Sequence, residues 1–147
     1  MKVYSPSDSA EKNLSPWHAI GLDAEDGIAL MGKISLGLEG SVARQISAWA
    51  EITPAELRKM SGIANTTFNR SIKSRFSADQ SERLVRILRV IERAVELFEG
   101  DKEAAQKWMN EPNRALGWKT PAEVVSSETG ALEVMRLITR VEHGVYS

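Results

Sequence analysis

Apolar residues recur at helical spacing through most of this chain, and they nowhere alternate for more than a few residues. In "SADQSERLVRILRVIERAVELFEGD", Leu84, Ile87, Leu88, Ile91, Val95 and Phe98 fall on one stripe of the helical period. Val85, Val90, Ala94 and Leu97 widen that stripe beyond what one neighbour can cover. The pattern predicts a central helix packed on several sides. Ser77 and Gln80 form a capping box at its start, and Gly100 stops it. The tetrapeptide T-P-A-E occurs at Thr53 to Glu56 and again at Thr120 to Glu123. Each copy predicts a helix start. The threonine accepts from the third amide, the glutamate reaches back to the cap, and proline gives up a hydrogen bond that the first turn lacks anyway.

Other segments follow the same rules. Asp101 caps "KEAAQKWMN", which Pro112 closes, and Ser127 caps a last helix in which Leu132, Met135, Ile138 and Val141 recur at three-residue steps up to Gly144. Upstream, "EDGIALMGKISLGL" reads as a helix weakened by Gly27, Gly32 and Gly37, and Ser41 is placed to cap "VARQISAWA". About eight helices and no strand pattern make the fold all-α. Residues 1–22 are polar and carry serine and proline, so a flexible arm with little order of its own is expected there.

Within "TPAELRKMSGIANTTFNRSIKS", two short helices meet across Ser61, Gly62 and Ile63. Gly62 can take the left-handed turn and Ile63 can fill the angle, which is helix-turn-helix geometry. Leu57, Met60, Phe68 and Ile72 then share a small core. With Phe68 inward, Asn65, Thr66, Thr67 and Asn69 point out as a recognition helix presents its side chains, and Arg70, Lys73 and Arg75 follow. Asparagine can read adenine edges, threonine can meet a thymine methyl, and arginine or lysine can serve guanine or phosphate. Arg58 departs from the pattern: a small residue usually stands four places before the turn glycine. Its side chain is expected to lean outward toward phosphate.

Charge sharpens this picture. Residues 1–57 carry 4 basic and 8 acidic groups, residues 58–89 carry 8 and 2, and residues 90–147 carry 7 and 10. A basic island between acidic flanks suits one nucleic-acid-facing element on a near-neutral body. Cysteine is absent, which excludes disulfides and thiolate chemistry. His18 and His143 stand far apart with no ligand spacing, and no glycine-rich phosphate loop occurs, so neither metal nor cofactor is expected. No nucleophile and base pair is nominated, and catalysis is not expected. No apolar run approaches a membrane span or a signal peptide, which points to a cytoplasmic protein with no membrane partner.

The end of the chain, "RLITRVEHGVYS", leaves Val145, Tyr146 and a carboxylate beyond a His-Gly stop. Apolar ends gain little in water, so the tail either folds back on its own surface or touches a partner. From about "SAWAEITPAEL" onward the chain resembles the Xre/MbcA/ParS antitoxins, especially those paired with RES-domain toxins. The likeness rests on the Ser-Glu-Arg opening of the long helix, the "WMN" and "NRALG" loop, the "TPAE" cap and the terminal "EHGVYS". It implies an Xre-like helix-turn-helix domain (residues 23–76) followed by a helical toxin-binding domain (77–147). It further implies a RES-type toxin that consumes NAD and a complex that represses its own operon at operator DNA.

By the same resemblance, the C-terminal end covers the toxin's active site. Arg140, Glu142, His143, Gly144, Val145, Tyr146 and Ser147 are then the toxin-binding residues, with Trp118 as a partner contact from its loop. Two half-sites imply a homodimer, and Leu30, Met31, Ile34, Leu36 and Leu38 are candidate interface material. The alternative readings are a stand-alone helix-turn-helix repressor with a dimerisation or effector domain, and a helical adaptor without a DNA role.

Overall fold

A computed structural model describes residues 15–22 and 26–144. Among them nine α-helices and one 3₁₀ turn succeed one another, with two isolated bridges in place of any strand. The helices are α1 (Pro16–Ala19), α2 (Gly27–Leu36), α3 (Ser41–Ala50), α4 (Pro54–Ser61), α5 (Asn65–Ser71), α6 (Ala78–Leu97), α7 (Lys102–Met109), α8 (Pro121–Val124) and α9 (Glu128–Glu142). No helix among the described residues is long and apolar enough to cross a membrane.

The twenty-residue α6 is the post on which the rest is mounted, as its wide stripe predicts. Helices α2, α3, α4, α7 and α9 all pack on it, and Leu84, Ile87, Leu88, Val90, Ala94 and Val95 are buried. Thr53, Ser77 and Thr120 all open their helices with complete capping boxes, and Asp101 and Ser127 accept amide hydrogen bonds as single caps. Gly100 ends the α6 turn at φ 93°. The N-terminus of α9 lies tight against α8, because a Cβ built on Gly130 would stand 1.7 Å from the Val124 carbonyl oxygen.

Three expectations are corrected. Ser41 lies inside α3 rather than capping it; Gly40 holds the cap position and supplies no side chain. A Cβ on Gly40 would sit 2.4 Å from the Ile72 carbonyl oxygen, so this corner is chosen for close approach and not for capping. Second, the arm is not featureless up to Leu22. Ser15 caps a helical turn, Trp17 and Ile20 are buried, and the Trp17 indole N–H donates to Glu92 at 2.9 Å beneath the Arg89 guanidinium. One large aromatic with a polar handle orders a segment that its composition marks as arm.

The three-residue rhythm in α9 does not by itself trace the buried face. Each such step lags the helix by about 60°, so the sweep from Leu132 to Val141 crosses about half the circumference. Ala131, Val134, Leu137 and Ile138 are buried, while Leu132 is 49% exposed. Third, Leu30, Ile34 and Leu38 belong to the chain's own core, and only Met31 and Leu36 of the candidate interface set stay exposed, joined by Ile28.

Candidate functional site

The turn between α4 and α5 is built as the sequence requires. Gly62 adopts φ 73°, and its amide returns to the Arg58 and Lys59 carbonyls. Ile63 is buried in the angle, and Leu57, Met60, Phe68 and Ile72 form the core beneath it. The Phe68 and Phe76 rings meet at 5.6 Å, tying α5 to the loop that leads into α6. On the opposite side Asn65, Thr66, Asn69 and Arg70 are exposed, Thr67 is half-buried, and Lys73 is exposed just beyond α5. The outward face is therefore short, polar and cationic at its far end.

Two residues of the anticipated DNA-contact set are engaged elsewhere. Arg58 does not lean outward; its guanidinium donates to the Ile63 carbonyl at 2.9 Å and staples the turn. The position usual for a small residue is thus filled by a long side chain whose head satisfies a turn carbonyl. Arg75 donates to the Gly37 carbonyl and lies 3.8 Å from Glu39. It closes a clasp in which the Phe76 amide reaches the Leu38 carbonyl and the Leu38 amide reaches Ser81. Arg83 pairs with Asp79, and Arg89 covers Trp17. Half of the eight cations in the basic island therefore serve the fold, and Arg70 and Lys73 are the ones presented on the helix-turn-helix face.

The second cluster lies on the C-terminal helices. After the 3₁₀ turn Arg114–Leu116, Gly117 and Trp118 both take φ 68°, and the Lys119 amide returns to the Leu116 carbonyl. Two successive positive φ values mark a type I′ turn, which glycine accepts and tryptophan resists. Asn113 holds the loop shut by exchanging backbone hydrogen bonds with Trp118 and Lys119 and accepting the Ala115 amide on its side chain. Trp118 is 67% exposed at the tip of this rigid turn. Glu51 and Glu99 also take positive φ, but Trp118 alone of the three carries a large apolar side chain into solvent.

On α9, Met135, Arg136, Thr139 and Arg140 line a shallow depression, and Arg140 has no ion-pair partner among the described residues. Glu142 is not presented as expected. Arg93 of α6 grips its carboxylate with two hydrogen bonds of 2.8 Å and also donates to Thr139 at 3.0 Å. His143 and Gly144 are exposed, and Gly144 turns the chain off the helix at φ 68°. Val145, Tyr146 and Ser147 lie outside the described residues.

The Arg93 fork aims the end of α9, and pH should loosen it. Hydrogen bonds from Arg93 hold the Glu142 carboxyl below its usual value, with the Arg93 and His143 charges adding to the shift. A lowered folded-state value means that the stabilisation is present above the unfolded-state pKa of about 4.3 and is lost as pH falls through the folded value. Urea midpoints of the wild type and Glu142→Gln should therefore differ at pH 7 and converge in acid. A difference that persists unchanged at about pH 2, below the carboxylate range, would mean that the fork is not what Glu142 contributes.

Comparison with known proteins covers the regions that carry both clusters. Residues 30–89 match the antitoxin Xre-like helix-turn-helix domain, and residues 93–144 match the antitoxin Xre/MbcA/ParS C-terminal toxin-binding domain. Over its full length the chain is 37% identical to an antitoxin Xre of Photorhabdus laumondii and 42% identical to one of Yersinia enterocolitica, each relative being covered completely. The chain belongs to the Xre antitoxin family. The all-α architecture and the order of the two domains are those expected of a member of that family from its motifs.

In this member of the family, the residues that fasten the end of α9 leave little trace in the sequence. Arg93 carries only an ordinary helical pairing with Glu96 as its local signal, and its partner Glu142 is 49 residues away. The strain at Trp118 is equally hidden, because no residue pattern marks a non-glycine for positive φ. A cleft between α4 and the C-terminal helices, assembled from residues far apart along the chain, has no sequence signal either.

Proposed function

We propose that this chain neutralises a RES-type, NAD-consuming toxin by covering its active site with the C-terminal end, and that it represses its own operon by binding operator DNA as a homodimer. The toxin-binding residues are Trp118, Arg140, His143, Gly144, Val145, Tyr146 and Ser147, with Glu142 aiming them from its fork with Arg93. The DNA contacts are Asn65, Thr66, Thr67, Asn69, Arg70 and Lys73; Arg58 and Arg75 hold the motif in shape. Residues 23–76 form the DNA-binding unit and residues 77–147 the toxin-binding unit.

The observation that carries this reading is the full-length likeness to antitoxins, together with the strained, exposed Trp118 on the domain matched as toxin-binding. Ile28, Met31 and Leu36, exposed together on α2, support self-association, since apolar side chains gathered on one short helix are usually covered. The test is co-expression with the adjacent open reading frame. That neighbour alone should arrest growth and deplete NAD, and this chain should rescue growth and copurify with it. A chain truncated after Gly144 should still copurify through Trp118 and α9 but fail to protect NAD. Full protection by the truncated chain would overturn the covering role of the tail.

A further inference from the structure

A cleft of about 480 Å³ opens between α4 of the helix-turn-helix and the C-terminal helices α7 and α8. Met60 of α4, Ile91 and Val95 of α6, and Ala105 and Met109 of α7 give it an apolar floor, and Ala122 of α8 stands at its wall. This size and this place, at a junction of structural units, are those of a small-molecule site. Four of the lining residues are charged, two carboxylates and two ammonium groups, and the two signs are not equally engaged.

Both carboxylates already serve as helix caps. Glu56 accepts the Thr53 amide at 2.8 Å and the Gln106 side-chain amide at 3.2 Å. Glu123 accepts the Thr120 amide at 2.9 Å and its hydroxyl at 3.1 Å. The twin T-P-A-E boxes thus place their glutamates on the same rim, with both Glu56 oxygens and one Glu123 oxygen engaged. The ammonium groups are not committed in this way. Lys102 rests over the Trp49 ring at 4.4 Å, and Lys59 is exposed; its charge acts on Glu56, but its side chain makes no hydrogen bond or close ion pair with another described residue. The donors left to a guest at this rim are cationic.

We propose that this cleft binds a small amphipathic organic anion, with its apolar body over Met60 and Met109 and its acidic head between Lys59 and Lys102. Such a ligand would touch the first helix of the DNA-binding motif and the helices of the toxin-binding domain at once. The site stands independently of the toxin assignment, because it rests on the cleft and its charges alone.

Octanoate is a suitable probe, with octylamine as its charge-reversed match, and methyl-labelled methionine gives a local readout. Met60 and Met109 line the cleft, whereas Met31 and Met135 do not. Octanoate should shift the Met60 and Met109 methyl resonances saturably and leave Met31 and Met135 in place, and octylamine should shift none of them. Lys59→Glu should weaken octanoate binding by about tenfold or more, the loss of one charge-assisted contact. Ala122→Trp should abolish binding while Met135, which packs against the core, keeps its wild-type position and so reports an intact fold. Octylamine binding as tightly as octanoate, or undiminished octanoate binding by Ala122→Trp, would overturn the proposal. So would an octanoate-silent cleft whose filling by Ala122→Trp instead breaks the complex with the toxin, since the occupant would then be a protein segment.

Discussion

Trp118→Gly is expected to leave the free protein at least as stable as the wild type and to weaken toxin binding by about a hundredfold or more, the scale of an aromatic hot spot. The two effects have separate causes. At φ 68° the tryptophan backbone sits where glycine is at ease, so the substitution relieves strain of about 1 kcal/mol. The side chain is 67% exposed, so its removal opens no cavity in the chain's own core. A tryptophan kept in such a place contributes little to folding, and on the proposed reading its contribution is contact with the toxin. Thermal unfolding checks the first half and titration of the toxin complex the second. Unchanged affinity would remove Trp118 from the interface; a lower melting temperature would mean that the indole packs on the fold after all.

The paired change Arg70→Ala and Lys73→Ala should reduce operator affinity by about a hundredfold and flatten its salt dependence, because every phosphate left without its cation takes about 0.9 off the slope of log K against log salt. Both side chains are exposed and neither enters an ion pair among the described residues, so melting temperature and toxin neutralisation should hold. Arg58→Ala supplies the contrast. It removes the donor to the Ile63 carbonyl in a part-buried turn, and it should cost about 1 kcal/mol of stability through a local lesion. A double variant with an unaltered salt slope would show that the basic face is solvated surface. One that loses neutralisation as well would show that the two activities are not separable along the chain.

Much of this molecule is legible in local pattern. Capping boxes at Thr53, Ser77 and Thr120, the caps Asp101 and Ser127, the Gly62 turn and the wide stripe of α6 each need only a few neighbouring residues, and each stands where the pattern puts it. The buried face of α9 is not legible in the same way, because a three-residue rhythm drifts around a helix whose true face only its packing partner selects. Ser41 loses its capping role for a related reason. Close approach of two distant loops, at Gly37 and Gly40 against Phe76 and Ile72, outranks a local cap.

What the sequence by itself determined is where helices begin, turn and end, which segment is the long central one, and which family the motifs resemble, because capping and periodicity are short-range. Only the tertiary structure decided which charges are free. Arg58, Arg75, Arg93 and Glu142 read as surface charges in the string and serve as internal fasteners in the fold, while Lys59, Arg70, Lys73 and Arg140 remain available. A charged side chain shows its type in the sequence, but its partner is chosen by distance in space, across gaps of up to 49 residues.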